Sequence, residues 1–180
     1  MKIPRDLAVE TSYRLDDILS VVLEKVLEDY GDDDPDKSGI CRIYYAVDPT
    51  NGIEGWHELR GARVGEREEY RWEAIGNYSQ EKTHRLMKLF AHDNRIVSSR
   101  QSRRPNFWEY GGAIILSANI PDLGGLVLIL ISFSGLSEQA DETFGMLLAK
   151  KMGWCNGFGQ FEKLVGYSGN GRALKLLHAA

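Results

Sequence analysis

Between Gly111 and Trp154 the chain spells out a buried hairpin running straight into a helix, and few folds accommodate that order. Gly111-Gly112 opens an apolar run over 113–118, Pro121-Asp122-Leu123-Gly124-Gly125 makes a turn, and a second apolar run follows over 126–133. Runs this apolar, bounded by Gly and Pro, predict two strands covered by other elements. Ser134-Gly135-Leu136-Ser137 then predicts a helix start, with Ser137 as the cap and Glu138, Asp141 and Glu142 in the first turns, where the helix dipole favours acids. This helix is expected over 138–152, ending near Gly153.

The elements before this stretch have to cover its strands. Leu15, Ile18, Leu19, Val22, Leu23, Val26 and Leu27 recur at steps of three and four, one face of a helix. Thr11 or Ser12 can cap it, and Gly31 is the expected left-handed stop. Residues 40–47 predict a strand; Asp48-Pro49-Thr50-Asn51-Gly52 is hairpin chemistry, and 53–59 is the expected return strand. A polar connection follows over 61–68, and 69–77 does not declare itself. Residues 80–91, with Leu86, Leu89 and Phe90 apolar and Ser79 as a cap, predict a second helix. Residues 94–110 read as a long polar loop with one short strand at most. The tail is Gly-rich over 156–171, ahead of a short helix over 172–178.

Helix, hairpin, helix, loop, hairpin, helix is the order of an α+β fold, an antiparallel sheet flanked by helices. A doubly wound parallel sheet needs single strands alternating with helices and a Gly-rich phosphate fingerprint, neither of which occurs. One domain is expected over 1–180, with its core at about 11–154 and a C-terminal extension over 155–180. With 43% hydrophobic and 27% charged residues, the composition predicts neither disorder nor a membrane class, and no apolar run approaches the ~20 residues of a membrane span. The N-terminus lacks the apolar segment of a signal peptide, so the expected location is cytoplasmic. A net charge of −4 argues against nucleic-acid partners. Cys41 and Cys155 make no C-x-x-C pair and are expected to be free thiols.

No catalytic signature stands out. Asp32, Asp34 and Asp36 alternate as in a calcium loop, but Lys37 and Ile43 stand where such a loop needs Gly and a bidentate Glu. His57, His84, His92 and His178 show no helical metal spacing. Ser134-Gly135, between a strand and a helix, is placed to bind an anion, yet the carboxylates of Glu138, Asp141 and Glu142 already supply the negative charge there. Arg95, Arg100, Arg103 and Arg104, followed by Phe107, Trp108 and Tyr110, form the one basic and aromatic cluster. Such a segment is either a solvated loop anchored by its aromatics or a clamp for a carboxylate-bearing ligand.

Several short motifs, in order, resemble the GlcG/HbpS-type family, which includes the C-terminal domain of PduO-type adenosyltransferases. Val47-Asp48 with Asn51-Gly52 resembles the family's Val-x-Asp-x-x-Gly, and Glu81-Lys82-Thr83-His84 its Lys-Ala-x-Thr-Ala helix. Gly111-Gly112 resembles the Pro-Gly-Gly entry to the second hairpin; Ile131-Ser132-Phe133-Ser134-Gly135, with Glu138 and Asp141, resembles Ile-Gly-Val-Ser-Gly before an acidic helix start. Thr83, Tyr110 and Ser132 depart from those patterns. The resemblance implies a profilin-like three-layer fold, homo-oligomers, and binding of haem or another small ligand. Lys82, Thr83 and His84 would face that ligand from the second helix, with Gly111 and Gly112 opposite. His84 would be the haem iron ligand, and Arg103 and Arg104 would hold the propionates.

Three functional readings follow: a small-molecule-binding domain, with haem the first cofactor to consider; an enzyme using the acidic cluster Glu138, Asp141 and Glu142; and a sensor or protein-interaction module without chemistry of its own.

Overall fold

The computed structural model describes residues 5–31, 37–101, 111–120, 123, 125–155 and 157–179, with side chains from residue 15 onward. Helix α1 (Arg5–Tyr30) precedes a hairpin of β1 (Gly39–Ala46) and β2 (Trp56–Val64). Helix α2 (Glu69–His92) leads to a second hairpin, β3 (Ala113–Ile120) and β4 (Gly125–Ser134), and α3 (Glu138–Lys151), α4 (Gly159–Ser168) and α5 (Gly171–Ala179) complete the chain. The strands make one antiparallel sheet in the order β2-β1-β4-β3, with Ile131 of β4 opposite both Ile43 and Ile114.

Alternation along the strands divides the core in two, because successive strand side chains point to opposite faces. Ile114, Leu116, Ile129, Ile131 and Phe133 share one cluster with Leu15, Leu19, Val22 and Val26 of α1 and Phe144, Leu147 and Leu148 of α3. Ala113, Ile115 and Leu130 share the other with Leu86, Met87 and Phe90 of α2. The result is the expected α+β fold, with α1 and α3 on one face and α2 on the other. Phe133 and Phe144 stack at 3.9 Å where α3 crosses the sheet. Ser137 caps α3 and Gly153 stops it at φ 67, both as expected. No helix among the described residues is long and apolar enough to cross a membrane, and Cys41 and Cys155 are free.

Four local expectations need correction. Gly31 is not left-handed; α1 starts at Arg5, upstream of Thr11 and Ser12, and runs into a 3-10 turn at its end. The first hairpin does not close on a two-residue Asn51-Gly52 turn. Residues Pro49–Gly55 form a 3-10 segment begun by the Asp48 carboxylate, which accepts from the Thr50 N–H and hydroxyl, and the backbone N–H groups of Val47 and Asp48 both donate to the Gly55 carbonyl. A Cβ on Gly55 would lie 1.6 Å from the Asp48 carbonyl oxygen, so this closure requires glycine. Strand β2 therefore starts at Trp56, not residue 53, and continues through Arg60-Gly61-Ala62-Arg63. Its charges suit an outer strand, where they discourage pairing with other chains. Ser79 does not cap α2: the helix begins ten residues earlier, at Glu69, and Ser79 is buried within it.

The fourth correction concerns the tail. Phe161, Leu164, Ala173 and Leu177 are buried in the same cluster as Leu15 and Phe144, so α4 and α5 form part of the core and are no appendage. Its attachment uses the free edge of β3. The Ser98–Ile114 bridge covers the start of that edge, with Ile115 N–H donating to the Val97 carbonyl, and Trp154 and Cys155 cover the end. Between them Gln160 stands in for a strand: its Oε1 accepts from Ser117 N–H at 2.9 Å and its Nε2 donates to the Ser117 carbonyl at 3.1 Å. Leu177→Ala is expected to cost about 2–5 kcal/mol in urea unfolding, the range for a buried leucine; a loss below about 1 kcal/mol would mean that the C-terminal helices only rest on the domain.

Candidate functional site

The most constrained chemistry lies where the two helical layers meet around one end of the sheet. Asp141, in the first turn of α3, accepts from Lys82 Nζ of α2 at 2.9 Å, with both side chains buried. Its second oxygen accepts from the Leu136 N–H at 3.0 Å. The Ser134-Gly135 turn therefore spends a backbone donor on the chain's own carboxylate, the self-capping expected there. Gly112 lies against the pair at φ +97, and a Cβ on it would come within 2.4 Å of Asp141 Cβ and 2.8 Å of Lys82 Nζ. Gly112 is glycine for both reasons, backbone conformation and space.

Glu138 and Glu142 diverge from Asp141. Glu138 accepts from the Gly111 N–H at 3.0 Å. Glu142 is fully buried, accepts from the Ser98 hydroxyl at 2.6 Å and from Asn170 Nδ2 at 3.2 Å, and lies 3.8 Å from an Arg100 nitrogen. Asn170 also donates to Thr143 Oγ1 and accepts from the Tyr30 hydroxyl, tying α1, α3 and the α4–α5 junction together. Burial pushes the Glu142 carboxyl above its ordinary range, while hydrogen bonds from Ser98 and Asn170 and the charge of Arg100 pull it partly back. Each carboxylate thus has its own hydrogen-bond donors on separate elements, with Arg100 between Glu138 and Glu142. Among the described residues no group of three or more His, Cys, Asp or Glu side chains is placed to hold a metal ion.

The expected ligand-facing residues do not share one surface. Lys82 and Thr83 point inward, and the Thr83 hydroxyl donates to the Ser79 carbonyl at 2.7 Å. His84 turns away from them, since each residue advances about 100° around a helix. It is half-buried, and burial lowers its pKa, with the charges of Lys88 and Arg42 lowering it further. Gly111 and Gly112 pack on Glu138 and Asp141. Arg95 makes a bidentate pair with Asp93, two contacts of 2.8 Å, while Arg100 sits between Glu138 and Glu142. Arg103 and Arg104 lie outside the described residues, as do Phe107, Trp108, Tyr110 and the aspartates 32, 34 and 36.

Sequence reasoning missed a cleft of about 490 Å3 at the free edge of β3. Phe90, Val97, Ile115, Leu128 and Leu164 give it an apolar floor, and Asn94, Arg95, Lys163 and Tyr167 stand at its mouth. Gln160, Lys163, Leu164 and Tyr167 come from one face of α4, at helical spacing. That spacing was the available signal, obscured by Gly159 and Gly166 in a segment whose glycines stood out first. Comparison with family models, curated proteins and solved structures found no match.

Two outcomes follow from the buried charges. Lys82→Met leaves the Asp141 carboxylate buried without its cation and is expected to cost about 3–5 kcal/mol, with Lys82→Met/Asp141→Asn recovering much of it; equal urea midpoints for the two variants would contradict a charge-based cost. Glu142 holds its proton more tightly in the folded chain than in the unfolded one. Its contribution is therefore fully present below the ordinary Glu range and is lost as pH rises through the folded value. Glu142→Gln is expected to flatten the decline of stability across that window, read from unfolding midpoints at a series of pH values; an unchanged slope would assign the decline elsewhere.

Proposed function

We propose that this chain is a small-molecule-binding domain whose ligand occupies the cleft at the β3 edge. The observation supporting the reading is the cleft itself: at about 490 Å3, with an apolar floor, polar groups at its mouth and Ser117 and Gln160 paired with each other on its wall, it has the size and lining typical of ligand sites. The acidic cluster favours binding over acid–base catalysis. Glu138, Asp141 and Glu142 are each engaged by groups of the chain itself. Asp141 and Glu142 are moreover almost wholly buried, whereas a general acid or base must reach a substrate proton.

The resemblance to the GlcG/HbpS-type family makes haem one ligand to try, with His84 as its iron ligand. The lowered pKa of His84 favours the neutral imidazole, the form that ligates iron. Its position apart from the cleft separates the two versions experimentally. In a fluorescence titration the protein is expected to bind the amphipathic anionic dye 1-anilinonaphthalene-8-sulfonate saturably, and Leu128→Trp, which fills the floor, to weaken binding about tenfold or more. Unchanged dye binding in Leu128→Trp would overturn the cleft as the site. A haemin Soret band that survives Leu128→Trp and disappears in His84→Ala would assign the ligand to α2 instead.

A further inference from the structure

The cleft's mouth carries a single uncompensated charge, and that charge selects a class of ligand. Arg95 is neutralised by Asp93 through both oxygens, and the Arg95 backbone N–H donates to the same carboxylate. Lys163 is exposed and has no ion-pair partner among the described residues. Its place is fixed by its own helix. Gln160, one turn earlier, is pinned to Ser117, and Leu164, the next residue, is buried, so the face bearing Lys163 and Tyr167 is held against the cleft. An ammonium and a phenol hydroxyl thus stand above an apolar floor, with the Asn94 amide across the opening. Both Lys163 and Tyr167 can donate to an oxyanion, and among the described residues no carboxylate lines the cleft to compete for them.

Resting on the ligand-binding reading above, we infer that the cleft takes an amphipathic monocarboxylate, its apolar body on Phe90, Ile115 and Leu128 and its carboxylate at Lys163 and Tyr167. One net positive charge matches a monoanion. A phosphate dianion would keep a charge unpaired, and an amine would meet like charge. The exposure of Lys163 makes the electrostatic contribution modest and sensitive to salt. It supplies discrimination between head groups, while the floor supplies most of the affinity.

Displacement of bound 1-anilinonaphthalene-8-sulfonate by octanoate, octan-1-ol and octylamine tests this on the wild-type protein and on Lys163→Gln. Octanoate is expected to displace the dye about fivefold more tightly than octanol at low salt, with octylamine weakest. Lys163→Gln should bring octanoate to parity with octanol and leave octanol unchanged, and added salt should do the same to the wild type. Octanoate binding no tighter than octanol, or a preference that survives Lys163→Gln, overturns the inference while leaving the cleft a binding site. Failure of all three compounds to displace the dye overturns the inference together with the reading on which it rests.

Discussion

The architecture turns on one buried ion pair. Lys82 belongs to the helix on one face of the sheet and Asp141 to a helix on the other, and they meet at 2.9 Å around the end where β3 begins and β4 finishes. Burying two charges is costly unless each is fully engaged. Here Asp141 also takes the Leu136 N–H, and only a glycine at 112 leaves room for the approach. Strand ends, helix cap and inter-layer contact are therefore fixed by one cluster. An apolar pair of similar volume could pack there as well, but it would not specify which turn of α2 faces which turn of α3.

A second set of polar contacts does for the C-terminal helices what the ion pair does for the layers. Asn170 joins Tyr30, Thr143 and Glu142 beneath the α4–α5 junction, and Gln160 completes the ladder of β3 where backbone partners give out. Both devices satisfy buried polar groups with side chains, so the edge strand is closed without a fifth strand. The cleft results from this arrangement: a side chain occupies less space than a strand, and the room left between α4, β3 and the 94–97 segment stays open.

Local chemistry made much of this legible in the sequence. The apolar runs of β3 and β4, the Ser137 cap and the Gly153 stop are all set by near neighbours. The first half of α2 was hidden because Trp72 and Ile75 are its only buried apolar residues, and the stripe then passes through Ser79, Lys82 and Thr83 before it turns apolar again at Leu86. The charges of β2 hid its length in the same way, and the glycines of α4 hid a helix that tertiary packing stabilises despite its weak propensity. The structure spreads the expected site residues over different surfaces: Lys82 and His84 are two apart, which on a helix sends them in different directions. Arg95 and Asp93 are also two apart, and in the turn after α2 that spacing lets them neutralise each other. Beyond the helical spacing of its α4 wall the cleft has no local signature, because its lining is gathered from four segments spread between Phe90 and Tyr167.

These placements separate stability from binding. The deeply buried titratable groups, Lys82, Asp141 and Glu142, are committed to holding elements together, and altering them acts first on folding. The cleft draws on another set of titratable groups, Arg95, Lys163 and Tyr167, all of them exposed. A ligand seated there would touch β3, the 94–97 segment and α4 at once; backbone hydrogen bonds already join the first two, while the Gln160 amide is what ties α4 to the β3 edge. Ligand binding that favours the folded state adds to its stability by mass action, and here the added stability would fall on the docking of α4. Under the proposed reading, occupancy of the cleft and attachment of the C-terminal helices would be linked, so that whatever loosens α4 would weaken the ligand and whatever fills the cleft would tighten α4.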